Sequence, residues 1–193
     1  MIRGTTKLIA QLAASALEAV WSIEEVSYRS RTDQLTGLCN RRHFDEQLIR
    51  VLNEADRYHR TCALVLADVD HFKQINDSLG HEAGDEVLKL VAEVLREVVR
   101  TTDICARIGG EEFCTIVPET GIEGAVELAE RIRSNLESSS VKWRQHDLRV
   151  TASFGVATYT AGTGQQLRDR LFETADRAMY RAKADGRNCV RSD

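Results

Sequence analysis

The stretch Arg107-Ile108-Gly109-Gly110-Glu111-Glu112-Phe113 limits most strongly how this chain can fold. Ile104, Ala106 and Ile108 recur at every second position before the glycine pair, and Phe113, Thr115 and Val117 do so after it. Period-2 writing on both sides of a Gly-Gly pair predicts a β-hairpin with the glycines at its turn. The glycines are expected to supply positive φ and to let a large substrate approach the backbone. Two adjacent glutamates on a tight turn repel one another, so they call for a cation nearby, either a metal or Arg/Lys. Taken alone, such a tip is more often simply solvated, and the rest of the chain has to decide.

A chain of 193 residues with 42% hydrophobic residues implies one domain with a proper core plus an extension. Net charge is −4, which argues against a general nucleic-acid or anionic-membrane surface. The five cysteines are odd in number, scattered and without C-x-x-C, as expected of reduced thiols in a cytosolic protein. No H-x-x-x-H spacing supports a zinc site.

Residues 1–31 read as one helix. Ile9, Leu12, Ala16, Ala19, Ile23 and Val26 fall at alternating spacings of three and four, a heptad seam. The seam suits pairing with a second chain as a signalling stalk. A helix lying on its own domain writes nearly the same pattern, so both readings stay open. Gln11 and Glu18 interrupt the apolar run, which is too short to span a bilayer. An upstream sensor ahead of Met1, through which the domain is tethered, is a further expectation.

The domain proper is expected over 32–193. Asn40 can cap a helix carrying Phe44, Leu48, Val51, Leu52 and Ala55. Cys62 to Ala67 reads as a strand buried on both faces, ending in Asp68-Val69-Asp70. Acidic residues there, facing a Gly-Glu hairpin, suit Mg²⁺. His71 to Asp85 gathers lysine, asparagine, histidine and aspartate around two glycines, a mixture that suits a nucleotide, although each residue singly is ordinary loop chemistry. Helices are predicted at about Asp85 to Arg100, around Ile122 to Leu136 and around Leu171 to Ala182. Leu148, Val150, Ala152, Phe154 and Val156 alternate as a central strand, and Asn188-Cys189-Val190 reads as a short final one. The order β-α-α-β-β-α-β-α predicts an α+β layer fold, palm-like or ferredoxin-like, with a central, mostly antiparallel sheet flanked by helices.

Six segments together resemble the GGDEF family of diguanylate cyclases, with Glu at the variable third position. They are D-x-L-T-G-L-x-N-R-R at Asp33–Arg42, D-x-D-H-F-K-x-I-N-D at Asp68–Asp77, G-H-x-x-G-D at Gly80–Asp85, G-G-E-E-F at Gly109–Phe113, S-x-G-V-A at Ser153–Ala157 and A-D-x-A-M-Y-x-A-K-x-x-G-R-N at Ala175–Asn188. The resemblance implies an enzyme that condenses two GTP into cyclic di-GMP with release of two pyrophosphates. By position it implies Mg²⁺, with Mn²⁺ as the alternative, on Asp68, the Val69 carbonyl and Glu111. Glu111 matches the proposed general base for the ribose 3′-hydroxyl, although a metal ligand makes a poor free base. Lys73 matches a phosphate and transition-state stabiliser, Lys183 and Arg187 match residues on the terminal phosphates, and the amides of His71 and Phe72 complete that cradle. Asn76 and Asp85 match the guanine readers, and His81 matches a further substrate contact. Arg41, Arg42, Ser153 and Gly155 read as structural. Arg100 and Asp103 form R-x-x-D at the family's inhibitory spacing from Gly109, and Arg131 matches its secondary arginine for the product.

Because each domain would hold one GTP, a homodimer is expected. A non-catalytic receptor for GTP or cyclic di-GMP is the alternative, and it would be expected to have lost part of the Gly-Gly-Glu-Glu-Phe run or Asp68. A cyclase closing a single purine nucleotide on itself fits the guanine-reading pair less well.

Overall fold

The computed structural model describes residues 31–162 and 165–193. The predicted N-terminal stalk over 1–31 lies outside the described residues except for Arg31. No helix of the described residues is long and apolar enough to cross a membrane.

The organising element is β2 (Thr61–Val69), flanked on both sides by antiparallel partners, β4 (Glu112–Pro118) and β7 (Ala152–Thr160). Beyond β4 lie β3 (Ile104–Arg107) and then the two-residue β1 (Cys39–Asn40), and beyond β7 lies β8 (Val190–Ser192). The inner pairings are antiparallel and the two short edge pairings parallel, so the sheet is mostly antiparallel as expected.

Alternation along β2 explains why it reads as continuously apolar. Ala63, Val65, Ala67 and Val69 enter one core, while Cys62, Leu64 and Leu66 enter the other. The first core is closed by α3 (His81–Val98) and α4 (Ile122–Ser138), with Phe72 of α2 (Phe72–Leu79). The second is closed by α1 (Arg41–Tyr58) and α5 (Gln165–Ala184). Phe44, Phe113 and Phe154 are among the largest fully buried side chains; burial of each contributes about 1.5–3 kcal/mol.

Local chemistry fixes several boundaries. The Asn40 side chain accepts from the His43 N–H at 3.0 Å, so α1 starts where the cap predicts. The helix expected from Asp85 instead begins at His81 and ends at Val98. Its first turn includes Gly84, where a Cβ would lie 2.0 Å from Asn76 Oδ1, so glycine there serves the contact between α2 and α3. The single strand expected from Leu148 is two: Leu148 ends β6 (His146–Leu148), which pairs with β5 (Val141–Trp143), and β7 starts only at Ala152. Between them the Thr151 carbonyl turns to accept from the Asp70 N–H at 2.9 Å. The expected positive φ at Gly109 and Gly110 is absent. Gly109 lets the Glu112 carboxylate fold back against the turn, since a Cβ would stand 2.4 Å from Glu112 Oε2 and would turn that side chain away.

Candidate active site

The end of β2 and the β3–β4 hairpin bring two carboxylates together. Asp68 is in register with Glu112, and the Val69 N–H donates to the Glu111 carbonyl at 3.2 Å. Glu111 thus sits beside the buried Asp68. Burial, then the Asp68 charge, raises the Glu111 carboxyl above its usual 4.5, with Glu112 adding to the rise and Lys183 opposing it. Lys183, from the last turn of α5, places Nζ 2.8 Å from Asp68 Oδ2 and supplies the cation that the hairpin requires.

These groups line a cleft of about 320 Å³ with Val69, His71, Phe72, Lys73 and Arg187. His71 adopts φ 57° and ψ 22°, turning the chain sharply from β2 into α2. The first amides of α2 have no intrahelical acceptors and open at the cleft. Lys73 and Arg187 make no ion pairs among the described residues, which leaves both cations for a ligand. Asn76 and Asp85 lie on α2 and α3. Asn76 Oδ1 is buried without a partner, a position that a ligand donor would satisfy. His81 and Asp85 are exposed on the first two turns of α3. A larger neighbouring hollow of about 400 Å³, between Gln74, Ser78, Glu137 and Arg149, has neither the carboxylate pair nor the lysines.

Among the described residues, no three His, Cys, Asp or Glu side chains come together to form a protein-only metal cage. Two carboxylates next to a strand-end carbonyl are oxygen donors of the kind a hard divalent cation takes.

The R-x-x-D tetrapeptide lies apart from this cleft. The Arg100 N–H donates to Asp103 Oδ2 at 2.8 Å and the Asp103 N–H to the Arg100 carbonyl at 3.0 Å, which closes a turn. Arg100 and Asp103 share a hollow of about 350 Å³ with Arg96 and Leu38. Arg131 donates to the Val98 carbonyl at 2.7 Å, capping the end of α3 beside them.

Arg107 is a residue whose importance the sequence reading missed. Its Nε and Nη2 donate to the Gly110 carbonyl at 3.1 and 2.7 Å, while Nη1 reaches the Asp33 oxygens at 3.3 and 3.4 Å. The guanidinium clamps the hairpin tip to the first segment of the domain; the available signal was an arginine two residues before a Gly-Gly turn. Burial pushes the Asp33 carboxyl upward, but hydrogen bonds from Thr36 and the Arg107 charge outweigh it, and the net shift is below the usual 3.8. A depressed carboxylate stabilises the fold above its unfolded value and loses that contribution as pH falls through its folded value. Asp33→Asn should therefore be less stable than wild type at neutral pH, the gap narrowing below about pH 4. Urea midpoints measured across pH check this, and a gap that does not change with pH would refute the charge argument.

The six motifs now stand on one framework, and the family comparison agrees. Residues 30–189 match the family described as "Diguanylate cyclase, GGDEF domain". The chain belongs to the GGDEF family. The GGDEF domain is 40% identical over 166 residues to diguanylate cyclase DgcP of Pseudomonas aeruginosa, covering 86% of this chain and 24% of that protein. It resembles the crystal structure of the coiled coil and GGDEF domain of DgcB from Caulobacter crescentus in complex with c-di-GMP, with TM-score 0.86, 35% identity and coverage of 96% and 99%. It also resembles the active GGEEF domain of a diguanylate cyclase from Vibrio cholerae, with TM-score 0.74, 33% identity and coverage of 80% and 97%. The chain spans between 24% and 46% of the length of its first curated relatives.

Proposed function

We propose that this GGDEF domain is a diguanylate cyclase that joins two GTP into cyclic di-GMP and releases two pyrophosphates. The observation that carries the reading is the single cleft in which the Asp68–Glu111 pair faces Lys73, Lys183, Arg187 and the amide end of α2. A divalent cation, Mg²⁺ with Mn²⁺ as the alternative, would be held by Asp68, the Val69 carbonyl and Glu111, and it would neutralise triphosphate charge next to the α-phosphorus.

The chain's own residues do the rest. Lys183 and Arg187 bind the terminal phosphates, and Lys73 stabilises charge that develops at the phosphoryl group under attack. The His71 and Phe72 amides hold phosphate oxygens. Asn76 and Asp85 read guanine, with His81 beside them, because a carboxylate accepts from the base's N1–H and exocyclic amine and would be left unpaired by adenine. Glu111 stands where the family's proposed general base for the incoming 3′-hydroxyl stands, and as a ligand of the cation it would orient that hydroxyl more than act as a free base. One domain carries one nucleotide, so two copies must meet face to face, each offering its 3′-hydroxyl to the other's α-phosphate. An upstream sensor or the N-terminal segment would set how often they meet.

Purified protein incubated with GTP and Mg²⁺, with products identified by mass spectrometry, tests the reading. Cyclic di-GMP supports it. Bound GTP without turnover would make the domain a receptor instead, and cyclic GMP would make it a single-nucleotide cyclase.

Product feedback belongs to the same proposal. Arg100 and Asp103 would engage the product's guanine and phosphate, with Arg131 second, and bound product would shift domain pairs into a non-productive arrangement. Arg100→Ala should weaken inhibition by added cyclic di-GMP about tenfold or more while largely sparing the initial rate. Equal inhibition of both proteins in a product titration would dismiss this site.

A further inference from the structure

The turn that carries Arg187 has an unusual backbone. Gly186, Arg187 and Asn188 have φ of 110°, 66° and 45°, a run of left-handed positions that non-glycine residues seldom adopt. Such a run persists only where its surroundings over-determine it, and here they do.

The buried Asp70 supplies one anchor. Its Oδ2 accepts from the Asn188 N–H at 3.0 Å and from Thr151 Oγ1 at 2.7 Å, and its Oδ1 accepts from the fully buried Ser153 Oγ at 2.7 Å. One carboxylate thereby joins the end of β2, the approach to β7 and the left-handed turn. The Asn188 side chain supplies the second anchor. Its Oδ1 accepts from Arg133 Nη1 at 3.1 Å and its Nδ2 donates to Glu137 Oε1 at 2.8 Å, so both ends of the amide are fixed to α4. Asparagine also tolerates the left-handed region better than most residues. Both anchors act at Asn188, and the residue before it in the turn is Arg187, whose side chain lines the cleft and makes no ion pair among the described residues.

From this geometry we infer that Asp70 and Asn188 are positioning residues for Arg187, holding the left-handed turn that presents its guanidinium to the terminal phosphate of the bound nucleotide. The inference rests on the reading of the cleft as a nucleoside-triphosphate site. Asp70 stands two residues beyond Asp68 but points into this network, which separates its task from that of the carboxylate pair.

The test compares binding of 3′-deoxy-GTP and 3′-deoxy-GDP, which lack the attacking hydroxyl and cannot condense, in Mg²⁺ buffer by calorimetry. Their affinity ratio reports the contacts made to the terminal phosphate, that of Arg187 among them. Asn188→Ala should lower that ratio about tenfold, the scale of lost supporting contacts around a binding group. Arg187→Ala should lower it at least as much, and the double variant should lose no more than Arg187→Ala alone, because both changes remove the same contact. Asn188→Gly, which accepts the left-handed backbone and retains the N–H to Asp70, should recover part of the loss. It also keeps the test open if the alanine variant folds poorly. An unchanged ratio in Asn188→Ala beside a lowered one in Arg187→Ala overturns the inference, as do losses that add in the double variant. A wild-type protein that binds the two nucleotides equally well overturns the triphosphate reading itself, and the inference with it.

Discussion

Glu111→Gln is expected to abolish cyclic di-GMP formation, by on the order of 10³-fold or more, while leaving the domain folded. The substitution preserves shape but removes an anionic oxygen from the Asp68–Glu111 pair and any capacity to take a proton. Stability should move the other way. The Glu111 carboxyl is raised by burial and then by Asp68. A raised carboxyl contributes stability that is fully present below its unfolded value and is lost as pH rises through its folded value. At neutral pH the wild type carries that burden and the glutamine variant does not, so the variant should unfold at the same or higher urea concentration, with the difference fading in acid. Residual turnover close to wild type from a folded Glu111→Gln protein would remove Glu111 from the centre of the mechanism.

The largest effect on stability is expected at Gly155. A Cβ added there would lie 2.0 Å from the Ala175 carbonyl oxygen and 2.3 Å from the Met179 N. Both are backbone atoms of α5, so no side-chain rotation relieves the clash and the helix must move off β7. Gly155→Ala should cost about 3 kcal/mol, the upper end for overpacking a core. The same displacement would carry Lys183 away from Asp68, so nucleotide binding should weaken even where the variant remains folded. Gly110→Ala is the matched control. A Cβ there meets nothing within 4 Å and the backbone φ is not positive, so its stability should stay within about 0.5 kcal/mol of wild type. Urea midpoints of the two variants decide the matter, and similar midpoints would contradict the packing account.

Features that local chemistry dictates were legible in the sequence. The Asn40 cap, the doubly buried β2 and the apolar faces of α1, α3 and α4 all write their periodicity or end signals directly. The hairpin was legible, but the contact of the Glu112 carboxylate, which folds back from three residues away onto the first glycine, was not. The break between Leu148 and Ala152 was hidden because Val150 within it is as apolar and buried as Leu148 and Ala152 at its two ends. What ends the alternation is a tertiary bond from the Asp70 N–H to the Thr151 carbonyl, across 81 positions of chain. The roles of Arg107 and Asp70 were missed for the same reason, since their partners at Asp33, Ser153 and Asn188 are distant in sequence, and Asp70 was read instead with Asp68 as a strand-end acid suited to Mg²⁺. The cleft residues could be named one by one from motif matches. Their convergence, and the pairing of Lys183 with Asp68, came only from the fold.

On the proposed reading of the cleft, that pairing would make its cation and its nucleotide depend on one another. While Lys183 lies against Asp68 at 2.8 Å, the carboxylate is already neutralised and the ammonium already satisfied. A divalent ion arriving alone has to displace a tethered competitor, and a polyphosphate arriving alone has to draw off a cation that Asp68 still holds. Arriving together, each takes the partner that the other sets free. By linkage, each must then raise the other's affinity by the same factor. On the proposed reading of the cleft, a domain built in this way would respond to the cation–nucleotide complex more strongly than to either component by itself.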